Sequence, residues 1–227
     1  MHGFNLSFKL YIGGSKQTER TKEQPKMIQA DLHIHTTYSP DAEINVETII
    51  DQLYAHPTIK AIAITDHNTV EGYFKARQLA TAYPDILVIP GVEISTTQGD
   101  IIILGTAELP PRPWTPETII DFAKQTSSIT IAAHPYRPYG LGDSAQNYAL
   151  NAIETLNGVT APQVNKMAED LAKTMRLPSV AGSDAHNPTE LWTVYNEIQA
   201  SLDTDEILKA LKHGSVRPVA AEKSIHF

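Results

Sequence analysis

Short apolar runs rich in β-branched residues recur along the chain, and five of them stop at acidic or histidine-bearing clusters. These are Asp31-Leu32-His33-Ile34-His35, Asp66-His67, Gly91-Val92-Glu93, His134-Pro135 and Ser183-Asp184-Ala185-His186, which together hold five of the nine histidines. The pattern constrains the fold, because strands lying side by side would bring the clusters to one mouth, as at the carboxyl ends of barrel strands. Neutral imidazoles and carboxylates without thiolates suit Zn2+, Mn2+ or Fe2+. The clusters therefore read as a multinuclear metal site, and the chemistry they point to is metal-assisted hydrolysis.

The apolar runs predict strands over residues 28–34, 61–65, 86–90, 101–104, 129–133, 152–156 and 179–182. Helical periodicity fills the gaps at 46–55, 70–82, 116–125, 161–175 and 204–212. Thr115 before Pro116, and Thr204 before Asp205-Glu206, carry helix-start signals. Alternating strand and helix imply a largely parallel α/β sheet, and a run as apolar as Ile101-Ile102-Ile103-Leu104 implies cover on both faces. A closed or nearly closed barrel accounts best for the clusters. A doubly wound open sheet is the alternative, without a glycine-rich phosphate fingerprint to support a nucleotide-binding form of it.

A chain of 227 residues can bury one sizeable core, so residues 28–227 are expected to form a single domain behind a flexible lead-in, 1–27. The first 16 residues are broken by Lys9 and lack a small-residue cleavage site, so a secretory signal is not expected. No apolar run approaches the roughly 20 residues of a membrane helix, and a soluble, cytoplasmic protein with no membrane partner is the expectation. A formal net charge of −8 argues against broad duplex binding, which draws on Lys and Arg to neutralise phosphates. Bound divalent ions would nevertheless reverse the local field for a small phosphate ester. Without cysteine no disulfide can form.

His33 and His35 lie two apart, and on a strand they point to one face about 7 Å apart, within reach of one ion. Asp184 and His186 repeat that spacing after Gly182-Ser183, which lets the backbone turn sharply. A strand-end glutamate such as Glu93 is ordinarily a solvated loop residue, but beside two histidine pairs it could bridge ions. His134 alone would more often be a satisfied core residue. His2, His56, His213 and His226 lack acidic or strand-end context and read as surface or structural.

Taken in order, Asp31-Leu32-His33-Ile34-His35-Thr36, Ser39-Pro40-Asp41, Thr65-Asp66-His67-Asn68, Gly91-Val92-Glu93, Ala133-His134-Pro135 and Gly182-Ser183-Asp184-Ala185-His186 resemble the successive motifs of the polymerase-and-histidinol-phosphatase (PHP) family. The likeness runs from Asp31 to about Ile198, and residues 153–158 with Asn165 are similar to a further family segment. It implies a distorted seven-stranded (β/α) barrel of TIM type, two or three divalent ions (Zn, Mn or Fe) and, usually, phosphoesterase activity. Carried over by motif, His33, His35, Glu93 and Asp184 would hold one ion, and Glu93 would bridge to a second held by His134. Asp41, His67 and His186 would hold a third. Asp41 replaces a histidine of some members, and this harder ligand admits Mn2+ or Fe2+ beside Zn2+. Some members place a further histidine between the glutamate and the His-Pro motif, yet residues 94–133 contain none. Asp100 would stand in if the 101–104 strand ran back antiparallel beside Glu93; otherwise the second site is completed by water or only weakly occupied.

Clustered divalent ions lower the pKa of a bound water to about 7 and stabilise the oxygens of an in-line attack. Asp184 or His186 would then move a proton to the leaving alcohol. Arg137, three residues past His134, either offers its planar fork to a non-bridging phosphate oxygen or is a solvated loop arginine. Three functions remain open: a phosphoesterase on a small phosphomonoester or short oligonucleotide, an amide or other C–N hydrolase on the same centre, and a non-catalytic PHP module. Arg137, Arg112 and Lys166 in the loops favour phosphate, and the nearly full ligand set disfavours a degenerate module. Substrate and oligomeric state are set by loops and surfaces that pattern alone does not decode.

Overall fold

The computed structural model describes residues 26–222, and in them each apolar run becomes a strand whose alternate side chains find cover on either face. In chain order the elements are β1 (Met27–Ile34), α1 (Val46–Ala55), β2 (Ile59–Ile64), α2 (Glu71–Ala80), β3 (Leu87–Ser95), β4 (Asp100–Leu104), α3 (Pro116–Gln125), β5 (Ile129–Ala132), β6 (Ala152–Asn157), α4 (Pro162–Met175), β7 (Ser179–Gly182), β8 (Val194–Gln199), α5 (Thr204–Lys212) and β9 (Val216–Ala220). The flexible lead-in expected at the N-terminus lies outside the described residues up to position 25, while Met27, counted with it, already opens β1.

All nine strands join in one sheet, in the order β7-β6-β5-β4-β3-β2-β1-β8-β9. The expected seven-stranded, largely parallel arrangement is corrected on two points. Parallel pairing is confined to β1–β2, β2–β3, β5–β6 and β6–β7. β4 runs back against β3, and β5 against β4, because residues 96–99 are too few for a crossover helix between β3 and β4. β8 and β9 are additional, and both pair antiparallel. β8 mixes Val194 and Ile198 with Tyr195, Asn196 and Glu197, so it lacks the continuous apolar run of its neighbours, and β9 is an edge strand that tolerates Pro218.

The ends of the β1-to-β7 series nonetheless meet. Asp184 N donates to His33 O (2.7 Å) and His35 N to Ala185 O (3.1 Å). Lower down, the fully buried Asn196 of β8 fills the gap between β1 and β7. Its Nδ2 donates to Ala30 O (3.2 Å) and Ala181 O (2.7 Å), and its Oδ1 accepts from Ala181 N (2.8 Å). The result is an α/β fold with a nearly closed, barrel-like sheet.

Inward residues such as Ala30, Leu32, Ala63, Ile89 and Ile131 pack with Ile207 and Leu211 of α5, which stops the barrel at the beginnings of the strands. The opposite mouth is left to the histidines. Outside, α1 and α2 cover β1 to β3 through Ile49, Leu53 and Tyr73, and α3 and α4 cover the other half through Ile119, Ala123 and Leu171. The start signal at Thr115 forms a reciprocal cap, Thr118 N donating to Thr115 Oγ1 (3.3 Å) and Thr115 N to Thr118 Oγ1 (3.0 Å). For α5 the cap is Asp203 rather than Thr204, its Oδ1 accepting from Glu206 N (3.1 Å). Among the described residues no helix is long and apolar enough to cross a membrane.

Asn196→Ala strips partners from three buried backbone groups at the seam and should cost roughly 3 kcal/mol of stability. Urea unfolding measures it; a loss below about 0.5 kcal/mol would show that the seam closes without this side chain.

Candidate metal centre

The clusters of the sequence reading meet at the carboxyl mouth, on or just past the ends of β1, β2, β3, β5 and β7. Two of their residues leave ordinary backbone there: His134 has φ 27° and Asp184 φ 53°. A non-glycine residue held in the left-handed region costs about 1–3 kcal/mol, a strain kept where position matters more than stability.

Four acceptor atoms converge. His33 Nε2 lies 3.0 Å from His35 Nε2 and 3.3 Å from both Glu93 Oε2 and Asp184 Oδ1. His35 Nε2 lies 3.3 Å from Glu93 Oε2 and 3.2 Å from Asp184 Oδ1. The ring protons are fixed from behind. His33 Nδ1 faces the carboxylate oxygen Glu154 Oε1 (2.9 Å), so the neutral ring carries its proton there. His35 Nδ1 faces Ser39 Oγ (3.2 Å), and Ser39 gives its own hydroxyl proton to Asp66 Oδ1 (2.8 Å), so Ser39 accepts from His35. Both neutral rings thus aim Nε2 lone pairs at each other and at two carboxylates. Lone pairs so disposed repel unless positive charge lies among them, and ligands about 2.0–2.2 Å from a tetrahedral Zn2+ stand about 3.3–3.6 Å apart.

The demand for positive charge also governs titration. Burial opposes protonation of His33, yet the carboxylates of Asp184, Glu154 and Glu93 hold it well above the usual histidine range. His35, also opposed by burial, is raised to about 9 by Asp184 and Glu93. In return, against the effect of burial, His33 and its neighbours lower the carboxyls of Glu93 and Asp184. A divalent ion would meet the same demand with both rings neutral.

Two further groupings adjoin this one. Glu93 turns Oε1 to 3.0 Å from His134 Nε2 without hydrogen-bond geometry, and that buried oxygen has no other partner. An ion between Glu93 and His134 would satisfy it. His67 lies with Nδ1 3.1 Å from Glu93 Oε2 and Nε2 3.5 Å from Asp41 Oδ2, and His186 Nε2 is 3.6 Å from the same Asp41 oxygen. His186 Nδ1 meets the backbone oxygen of Asp184 (2.8 Å), which fixes its proton and leaves Nε2 open. By distance, the sets able to hold an ion are His33-His35-Asp184, His33-Glu93-His134 and His35-His67-His186. The third set differs from the motif-based assignment: His35 completes it, and the half-exposed Asp41 stands at its rim. β4 does run antiparallel beside Glu93, but Asp100 belongs to none of the three sets. Burial, then the charge of Glu93, pushes the Asp100 carboxyl up to about 6.

Every buried carboxylate among the described residues gathers here, namely Asp31, Asp66, Glu93, Asp100, Glu154 and Asp184, and no described lysine or arginine is buried. Three of the six were not read as site residues from the sequence. Glu154 holds His33 through Oε1 and accepts His134 N (2.8 Å) and Asn157 Nδ2 (3.0 Å) through Oε2. Asp66 accepts from Thr36 N (2.7 Å), Thr36 Oγ1 (2.7 Å) and Ser39 Oγ (2.8 Å), and so sets the serine that orients His35 and receives His67 N (3.0 Å). Asp31 accepts from Ser183 N (3.0 Å) beneath the β7 turn, and burial raises its carboxyl to about 6. The available signal was a charge inside an apolar strand, as in Ala152-Ile153-Glu154.

Arg137 reaches the centre but not as a free cation. Its Nη1 pairs with Asp184 Oδ2 and approaches Asn157 Oδ1 (3.4 Å), with about one third of the side chain exposed. Neither of the other cations expected to favour phosphate pairs with a centre residue. Lys166 is engaged on α4 by Glu169 and Asp170, and Arg112 stacks 3.8 Å over Trp114. His56 accepts Ile59 N (2.9 Å) and His213 caps α5, while His2 and His226 lie outside the described residues.

Gly72 of α2 is the sensitive point of the Asp66 support, because a Cβ there would lie 1.9 Å from Asp66 Oδ2 and 2.8 Å from Thr36 Oγ1. Gly72→Ala should weaken divalent-ion affinity roughly 10- to 100-fold by displacing what orients His35 and His67, whereas His56→Ala should leave it unchanged. Calorimetric metal titration checks this; equal affinities for the two variants would refute the role given to Asp66.

Comparison with known proteins agrees with this geometry. Residues 31–139 match the PHP domain and residues 162–216 the PHP-associated region. An uncharacterized protein of Methanocaldococcus jannaschii is 35% identical over 142 residues, covering 57% of this chain and 82% of that protein. Among solved structures, PsfC from Pseudomonas syringae superposes with a TM-score of 0.66 at 17% identity, over 87% of this chain and 93% of its own. A Bifidobacterium adolescentis protein to which metal-dependent phosphoesterase activity is ascribed gives 0.56 at 15% identity, over 69% and 87%. An amidohydrolase from Chromobacterium violaceum, solved with sulfate and no metal, gives 0.57 at 19% identity, over 71% and 88%. At these identities the three likenesses concern the fold. The sequence motifs, the matched regions and the convergent histidine and carboxylate groups together place the chain in the PHP domain family.

Proposed function

We propose that this protein is a metal-dependent phosphoesterase acting on a small phosphomonoester. The observation that carries the reading is the convergence of His33, His35, Glu93 and Asp184 at ligand-to-ligand distances, with two further groupings sharing the same side chains. Zn2+, Mn2+ or Fe2+ bound there would supply an activated water and positive charge for the phosphoryl oxygens. The chain's own residues do the rest. Asp184 divides its oxygens, Oδ1 toward the histidines and Oδ2 toward Arg137 and Asn157, so neither is free to carry a proton. His186 keeps its Nδ1 proton on the Asp184 carbonyl and its Nε2 open at the mouth; when no ion takes that nitrogen, it picks up a proton from solvent and passes it to the departing alcohol. Arg137 positions Asp184 with one nitrogen, and its remaining exposed N–H groups face an entering phosphate.

Hydrolysis of a C–N bond is the second reading. The observation favouring it is the Arg137–Asp184 pair, which among the described residues leaves the mouth without an unpaired fixed cation to select a dianion.

Elemental analysis of the purified protein, with p-nitrophenyl phosphate, its bis-ester and p-nitroacetanilide as substrates, tests the two together. At least two divalent ions per chain are expected, with monoester cleavage that chelation abolishes. Full activity without metal, or faster amide cleavage, would overturn the phosphoesterase reading.

Asp184→Asn should remove most activity together with metal occupancy. Arg137→Ala should lower kcat/KM for phosphate esters roughly 10- to 1000-fold, and Arg137→Lys should recover only part, because an ammonium lacks the planar fork. Unchanged phosphatase constants for the alanine variant would remove Arg137 from the site.

A further inference from the structure

Beside the third grouping, Asp41 and His67 form one wall of a cavity of about 560 Å3, completed by the β3–β4 turn and Tyr139. Asn68, Thr97 and Gln98 supply hydroxyl and amide groups to its lining, Asp41 and Asp100 supply carboxylates, and no lysine or arginine lines it. Tyr139 is unusual twice over: the residue is 83% exposed, and its backbone is left-handed at φ 67°. Its carbonyl accepts Asp100 N (2.7 Å), which ties the loop after β5 to the first residue of β4. The turn and this loop touch so closely that a Cβ on Gly99 would lie 2.7 Å from Leu141 N. Tyr139 is therefore presented to solvent by a fixed wall, two residues beyond the arginine that faces the phosphate.

We infer that this cavity receives the alcohol part of the substrate and selects an uncharged alcohol bearing a flat ring, against one carrying a further anionic group; the inference rests on the phosphoesterase reading. The selection follows from charge and shape. An ion held by the third grouping would offset Asp41 at one end of the cavity, but at the other end Asp100 belongs to no ion set and no lysine or arginine lines the wall, so an anion reaching there would give up water to face an uncompensated carboxylate. A ring would lie on Tyr139 at little ordering cost, since that residue is already held by its loop.

The test compares phenyl phosphate with para-carboxyphenyl phosphate on the metal-loaded protein, by steady-state kinetics and by titration calorimetry. The para carboxylate does not make the phenolate a poorer leaving group, so a lower constant reports the cavity. The carboxylated ester should show kcat/KM and affinity about tenfold lower, and Thr97→Lys should narrow both ratios. Tyr139→Ala should raise KM for phenyl phosphate about threefold or more with kcat retained, Tyr139→Phe should restore it, and methyl phosphate should not respond. Equal constants for the two aryl esters, or a KM indifferent to Tyr139→Ala, would overturn the inference. Absence of turnover with every ester counts against the phosphoesterase reading alone, because the calorimetric ratio still decides what the cavity selects.

Discussion

Two backbone hydrogen bonds, Asp184 N to His33 O and His35 N to Ala185 O, both close the barrel and set the distance between its two principal ligand pairs. Fold and site are therefore one construction. If the seam opened, His33 and His35 would part from Asp184, and the lone pairs that meet within 3.3 Å would no longer share a common point. Conversely, those lone pairs and the six buried carboxylates around them oppose closure, because like charges brought together away from water repel. The seam is held against that repulsion by Asn196 from β8 and by packing over α5. A cation bound at the mouth acts in the same direction, so metal binding and folding stability are linked.

Protein-level support surrounds the ligands on every side, and its chemistry is consistent. Three of the five rings have an acceptor for the Nδ1 proton, Glu154 for His33, Ser39 for His35 and a backbone carbonyl for His186, whereas Nδ1 of His134 is buried without one. Acceptors behind the rings make the inward nitrogens better ligands and forbid rotation. Asn157 joins this support from β6, giving Nδ2 to both Glu154 and Asp184, and its backbone is clamped by Asn165 of α4, which accepts from Asn157 N (3.1 Å) and donates to Asn157 O (3.0 Å). A surface helix thus fixes a buried carboxylate through one asparagine pair.

What could be read in the sequence divides along physical lines. The bounds of α1 and α3 follow from apolar periodicity with a start signal or a polar boundary, and the first seven strands from continuous β-branched runs, since both signals are local. The clustered histidines, Glu93 and Asp184 were legible because they recur where those runs end. β8 was not, since its polar alternation serves a seam rather than a core, and the reversal at β4 was legible only as a gap too short for a helix. Glu154 is 121 residues from the ring it orients, and no local pattern marks such a partner. Arg137 was placed at the mouth by its position three residues past His134, but the chain cannot state in one dimension that its guanidinium belongs to Asp184.

That pair explains how a chain of net charge −8 could still handle a phosphate. Beyond about 8 Å its surface field is screened, so a dianion is neither drawn in nor turned away from afar by the total charge. The decision falls within the mouth, where the carboxylates outnumber the one guanidinium. Without bound cations that balance repels a phosphate, and Arg137 is neutralised by Asp184. Two divalent ions held there would move the local sum by four positive charges, with Glu93 and Asp184 serving as ligands and the Asp184 carboxylate shared between an ion and the guanidinium. On the proposed phosphoesterase reading, arginine at this position would serve a phosphate only in the loaded centre. The paired state keeps the side chain ordered at the rim, so little rotamer freedom would remain to be lost if a substrate oxygen took up its other N–H groups.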